Sequence, residues 1–141
     1  LNEPAATVER ELQLVVPYLE LMQMRMPDRL TYAMNVDASA MKACCPPTTV
    51  LTLVENAVRH GIDPSEEGGR IDIDIERRGD RCVVRVTDTG VGLQRSGNGL
   101  GTGLTTLRER LRLIFGDAAQ LRLTQAAPRG VVAEVEMPAQ T

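Results

Sequence analysis

Three short stretches carry residue types whose spacing could do chemistry together. In the first, Asn56, Arg59 and His60 stand at i, i+3 and i+4 of a segment with helical periodicity, so they share one stripe of a helix. Val50, Val54 and Val58 supply a separate apolar stripe for burial. An asparagine amide oxygen is a hard ligand suited to magnesium, which keeps waters and bridges phosphates. Arginine offers phosphate oxygens a planar fork. Taken alone, the same pattern also describes an exposed polar helix face. The second stretch, Asp88-Thr-Gly-Val-Gly92, closes a strand-like run. An aspartate there can accept from an exocyclic amine such as adenine's, and Gly90 and Gly92 permit close backbone approach or positive φ. An ordinary turn is the alternative. The third stretch, Gly97-Asn-Gly-Leu-Gly-Thr-Gly-Leu104, runs straight into a helical pattern. A glycine-rich loop at a helix start presents free N–H groups and the positive dipole end to phosphate. A flexible linker is the bland alternative. The loop is not a Walker A motif, since no Gly-Lys-Ser/Thr follows. It is not a dinucleotide fingerprint either, because Gly99-x-Gly101 does not follow the first strand of a βαβ unit.

The elements that must position these stretches are read from periodicity. Val8, Leu12, Val15, Leu19, Met22 and Met26 recur every three or four residues and predict a helix over 4–26, opened by Pro4. Glu9 and Glu11 fall early, where that helix's dipole favours acids, and Pro17 should kink or divide it. The methionines Met22, Met24 and Met26 fit either core filling or a partner-facing stripe. Residues 30–36 alternate weakly, as a strand would. A second helix is expected over 48–60, with Gly61 as its C-cap. Ile71, Ile73 and Ile75 alternate with acids as a half-buried strand. After the Gly79-Asp80 turn, residues 82–87 return as a more apolar and more central strand. A third helix follows over 104–115, then a strand pair over 121–124 and 131–137. No internal repeat or domain boundary interrupts this single α/β unit.

Composition narrows the function classes. The chain has 141 residues, a net charge of -3 and 2% aromatics, which argues against a basic nucleic-acid footprint or base-stacking platform. One histidine and three scattered cysteines are too few for a zinc site, and only His60 could serve a Ser-His or Cys-His catalyst. The cysteines suit a reducing cytosol. No apolar run approaches the roughly 18–20 residues that span a bilayer. The chain starts at Leu1 without a methionine and reads as a piece of something longer.

The order of the three stretches resembles the asparagine box and two glycine boxes of the GHKL ATPase superfamily, which includes gyrase, Hsp90, histidine kinases and MutL. Leu53-Val-Glu-Asn-Ala-Val-Arg-His-Gly61 is most similar to sensor histidine kinases of the LytS/YehU type. So are Tyr18-Leu-Glu20, Arg25-Met-Pro-Asp-Arg-Leu30 and Gly101-Thr-Gly-Leu-Thr-Thr-Leu-Arg-Glu-Arg-Leu111. The resemblance runs over about residues 9–138. It implies the Bergerat fold, an α/β two-layer sandwich with a mixed, mostly antiparallel sheet and helices on one face. Residues 1–29 would lead in from a dimerisation domain and 30–141 would form the ATP-binding catalytic domain.

By the same resemblance Asn56 would coordinate Mg²⁺, Arg59 would meet phosphate, and His60 would pack near the adenine or ribose. Asp88 would receive the adenine amine, with Gly90 and Gly92 making room. Leu93, Gly99, Leu100, Gly101, Thr102 and Gly103 would complete the pocket and its phosphate-side lid, walled by Leu104 and Leu107. Thr52 stands where hydrolysing relatives carry a glutamate base, which favours transfer over hydrolysis. Glu55 is turned roughly 100° from Asn56. Thr106 and Val131 replace an asparagine and a threonine common in the family. The implied function is that of a two-component histidine kinase domain that binds Mg-ATP. The domain would offer the γ-phosphate to a histidine on a dimerisation domain outside this chain, and a response regulator would follow. The parent would be a homodimer anchored in the membrane, with this part cytoplasmic and touching neither membrane nor nucleic acid. His60 lies inside the nucleotide site and is not the expected acceptor. Two other readings fit the boxes: a stand-alone protein-serine kinase of the anti-sigma type, and a nucleotide-gated switch without catalysis.

Overall fold

The computed structural model describes residues 6–92 and 102–140. A two-residue strand β1 (Ala6–Thr7) leads into α1 (Val8–Arg25), then β2 (Leu30–Val36), β3 (Cys44–Cys45) and α2 (Thr49–Asn56). β4 (Gly69–Arg78), β5 (Arg81–Asp88), α3 (Thr102–Phe115), β6 (Gln120–Gln125) and β7 (Val131–Pro138) complete the chain. Five strands form one sheet in the order β2-β4-β5-β7-β6, and β1 and β3 pair in a separate ribbon. Only β2 and β4 are parallel; the other pairs in the sheet are antiparallel. The expected mixed, mostly antiparallel sheet is present, and β5 is its central strand.

Alternation gives the sheet two unlike faces. On one, Ile73 and Ile75 pair with Val86 and Val84, which pair in turn with Ala133 and Val135, and Ile71 pairs with Asp88. All three helices add apolar side chains to the same core: Val15 and Leu19 from α1, Leu53 and Val54 from α2, Leu104, Leu107 and Leu111 from α3. The isoleucines are at most 1% exposed, and each such burial contributes about 2 kcal/mol. The other face is polar. Arg85 bonds Glu134 at 3.0 Å, and Arg122 reaches Glu134 and Glu136 at 3.5 and 3.2 Å.

Two expectations about α1 are corrected. The helix starts at Val8, not Pro4: the side chain of Thr7 accepts from Arg10 N at 3.3 Å and caps it. Pro4 lies outside the described residues. Pro17 does not divide the helix, which runs unbroken to Arg25. Gln13 and Pro17 are both exposed, so water can reach the carbonyl that Pro17 leaves without a donor. Glu9 and Glu11 do lie in the first turn of α1, but the carboxylate of Glu11 bonds another helix. It is 2% exposed and accepts from Thr48 N and Val50 N, at the start of α2. The methionines divide: Met22 and Met26 are core, while Met24 is 78% exposed. No helix among the described residues is long and apolar enough to cross a membrane.

Candidate functional site

α2 does not reach His60 as a regular helix. It ends at Asn56, and a π-helical turn carries the chain from Ala57 to Ile62. The Ala57 N–H is shared between the carbonyls of Leu53 and Val54, and Asp63 N donates five residues back to Val58 O at 2.8 Å. Single π-turns of this kind concentrate at functional sites. Gly61 is therefore not the left-handed C-cap the sequence suggests. It is a contact point. Its carbonyl accepts from Val91 N at 3.1 Å, and a Cβ on it would stand 2.6 Å from Asp88 Oδ1. A Cβ on Gly90 would fall on the Gly61 carbonyl. Both positions need glycine for close approach, whereas Gly92 needs it for its φ of +85°.

The turn is tied down by a residue the sequence does not single out. Arg29 Nη2 donates to the carbonyls of Ile62, Asp63 and Ser65 at 3.4, 3.1 and 2.6 Å, so it caps the turn's C-terminal end. Its only sequence signal is membership of the Arg25–Leu30 stretch.

Asp88 ends β5 with its side chain 2% exposed. Burial pushes its carboxyl up to about 6, against the opposing pull of the N–H groups of Gly90 and Val131. The Gly90 N–H reaches Oδ1 at 2.8 Å. Val131 meets the aspartate through its backbone, so the side-chain type there does not affect this contact.

Between the Asn56 face and the start of α3 lies a cleft of about 270 Å³. Thr52, Glu55, Asn56, Arg59 and His60 form one wall, and Thr102, Gly103 and Leu104 form the other. The structure thus brings together six of the expected residues: Asn56, Arg59, His60, Thr102, Gly103 and Leu104. Asp88, Gly90 and Gly92 are buried and do not line this cleft; Asp88 and Gly90 pack against Gly61, the residue after His60. Leu107 is 2% exposed and belongs to the core. Leu93, Gly99, Leu100 and Gly101 lie outside the described residues.

Glu55, turned roughly 100° from Asn56 on the helix, still borders the same cleft. A second cavity of about 290 Å³, bordered by Tyr18, Arg25 and Arg29, shares Glu55 and Arg59 with the first. Burial, followed by the Glu55 charge, raises the Tyr18 phenol.

The donor set fits a phosphate-bound magnesium better than a protein-caged metal. Among the described residues no group of three His, Cys, Asp or Glu side chains is placed to hold an ion. The Asn56 amide and Glu55 carboxylate offer hard oxygens on the cleft wall, so phosphate and water would have to supply the remaining ligands. The opposite wall is the N-terminus of a 14-residue helix, where anions are favoured.

A family model described as "Histidine kinase-, DNA gyrase B-, and HSP90-like ATPase" matches residues 47–141. The chain belongs to this ATPase family. The match starts at the turn before α2 and takes in the whole cleft. Among relatives, the "Sensor protein LytS" of Staphylococcus epidermidis is 29% identical over 94% of this chain and 24% of its own length. The "Sensor protein LytS" of Streptococcus mutans is 31% identical over 95% of this chain and 25% of its own. The "Sensor histidine kinase YesM" of Bacillus subtilis is 25% identical over 98% of this chain and 25% of its own. The chain therefore spans about a quarter of these relatives. Its fold is that of histidine kinase catalytic domains. That of ThkA, in a nucleotide-free form, superposes with a TM-score of 0.73 at 17% identity, covering 99% of this chain and 98% of its own. A second ThkA structure, in complex with the response regulator TrrA, gives 0.66 at 18% identity, over 97% and 42%.

Proposed function

We propose that this ATPase-family domain is the Mg-ATP-binding half of a LytS-type sensor histidine kinase, and that it offers the γ-phosphoryl group to a histidine on a dimerisation domain outside this stretch. The observation that carries the reading is the Gly61 contact. It sets a buried carboxylate directly behind the turn whose side chains face the start of α3. Base recognition and phosphate recognition are thereby joined through one piece of backbone. Asp88 would take the adenine amine, and Arg59 and the N-terminus of α3 would take phosphate oxygens, with His60 between them beside the base or ribose. Magnesium held at the Asn56 oxygen would neutralise charge shared by the phosphates.

Chemistry in such a site is positioning and electrostatics. The bond from phosphorus to the departing ADP oxygen breaks as the bond to the acceptor imidazole nitrogen forms. Thr52 has no basic group to activate water at neutral pH, which supports transfer rather than hydrolysis. Residues 1–29 would lead in from the dimerisation domain and 30–141 would be the binding domain. Leu93, Gly99, Leu100 and Gly101 would complete the lid. The parent would act as a membrane-anchored homodimer with this part on the cytoplasmic side, and would pass phosphate to a response regulator.

Calorimetric titration of the chain with ATP and GTP, with and without Mg²⁺, tests the reading. Adenine-selective binding strengthened by Mg²⁺ is expected. Equal binding of ATP by the parent and Asp88→Asn would show that the base lies elsewhere. Stable phosphate on His60 after incubation with ATP would overturn its assignment to the pocket.

A further inference from the structure

The turn that starts α2 is held from outside the helix. Thr48 has φ +65° and does not cap α2 with its side chain, which donates to the Pro47 carbonyl at 2.6 Å instead. Thr49 N donates to Pro46 O at 3.2 Å, and the N–H groups on either side of it turn to Glu11, on a different helix. Thr48 N reaches Oε2 at 2.8 Å, while Val50 N and Leu51 N reach Oε1 at 2.9 and 3.5 Å. Glu11 pairs with no cation among the described residues, so these N–H groups and the positive end of α2 are what balance its buried charge. From the opposite side, Arg110 Nη1 on α3 donates to Pro47 O at 2.7 Å and to Thr48 Oγ1 at 3.2 Å. Apolar packing already holds α1 and α2 together, with Val15, Leu19, Leu53 and Val54 at 0% exposure. Packing of that kind sets how the two helices interdigitate. Hydrogen bonds to terminal N–H groups are directional and add a restraint at the point where α2 begins.

We propose that Glu11, assisted by Arg110, is a positioning residue for the nucleotide cleft. The carboxylate from α1 sets where α2 begins and hence where Asn56 stands opposite α3. The inference rests on the reading of the cleft as a Mg-ATP site. It makes α1 and the metal end of the cleft one linked system: displacing α1 weakens nucleotide binding, and nucleotide binding restrains α1 to the same degree.

The test is ATP titration of the parent, Glu11→Gln and Arg110→Ala, in Mg²⁺ and in EDTA, with thermal unfolding alongside. Glu11→Gln is expected to weaken binding in Mg²⁺ by about tenfold and in EDTA by less than about threefold, because without the metal the position of the Asn56 oxygen matters little. Arg110→Ala should shift the same ratio by about threefold. Mg-ATP should slow amide exchange along α1 in the parent and not in Glu11→Gln. A fall of equal size in Mg²⁺ and EDTA would mean a merely structural role and would overturn the proposal. If Glu11→Gln does not fold, Arg110→Ala decides: a shifted ratio supports the proposal and an unchanged one overturns it. A parent that binds no adenine nucleotide would instead sink the cleft assignment itself.

Discussion

The two ends of the candidate site are built by different physics. At the proposed base end Asp88, Gly61 and Gly90 are all buried and meet backbone against side chain or backbone against backbone. At the proposed phosphate end Thr52, Glu55, Asn56 and His60 are half-exposed and Arg59 is exposed. Among the described residues these five side chains face an open cleft. In the proposed reading the first end would gain selectivity from shape and a desolvated acceptor, with no room for an added atom. The second would work through charge that solvent and salt can screen, and should tolerate substitution without loss of fold. Selectivity for the base and grip on the phosphates should therefore be separable by mutation.

The largest expected effect is at the base end. Gly90→Ala would drive a methyl into the Gly61 carbonyl, costing about 3 kcal/mol or more of stability. Denaturant unfolding measures this, and a loss below about 1 kcal/mol would mean that the contact yields easily.

Asp88→Asn comes next and should act in opposite directions on binding and on stability. ATP affinity should fall on the order of 30- to 100-fold through the lost charge-assisted bond. The nucleotide-free domain should become more stable near neutral pH. The folded-state carboxyl is raised from 3.8 to about 6. Its contribution to stability is therefore full below pH 4 and is lost as pH rises through 6, by up to about 3 kcal/mol. Unfolding curves from pH 4 to 8 should show this loss in the parent and not in the variant. ATP binding by the parent should weaken below about pH 6, as Asp88 takes up its proton.

Asn56→Ala probes the phosphate end. Titration should show the Mg²⁺-dependent gain in affinity reduced by about tenfold, with unfolding free energy within about 0.5 kcal/mol of the parent. A comparable loss in EDTA would blur the separation between the two ends. The smallest effect belongs to the open sheet face. Arg122→Ala removes the contacts to Glu134 and Glu136 and should cost under about 1 kcal/mol, with nucleotide titrations unchanged.

The sequence by itself determined whatever depends on neighbours along the chain. The alternation of Ile71, Ile73 and Ile75 marks β4, the spacing of Leu104, Leu107 and Leu111 marks α3, and both elements form. Asn56, Arg59 and His60 do share a wall, as their spacing suggests, although a π-turn and not a regular helix carries the last two. Tertiary structure decided what depends on segments meeting across distance. A carboxylate in the first turn of a helix looks like a favourable dipole contact, yet Glu11 serves α2, and the pairing exists only because packing brings α1 to it. Gly61 looks like a helix stop, yet it is required because Asp88, 27 residues later, leaves no room for a Cβ. Glu55 points roughly 100° away from Asn56, yet the width of the cleft, set by where α3 packs, lets both border it. Arg29 carries no signal beyond its place in the Arg25–Leu30 stretch, because the carbonyls it caps belong to a turn whose π geometry periodicity does not reveal. Local propensity selects the elements and the reactive side chains. Caps, close contacts and cleft width are fixed only when the buried faces of α1, α2 and α3 settle on one sheet.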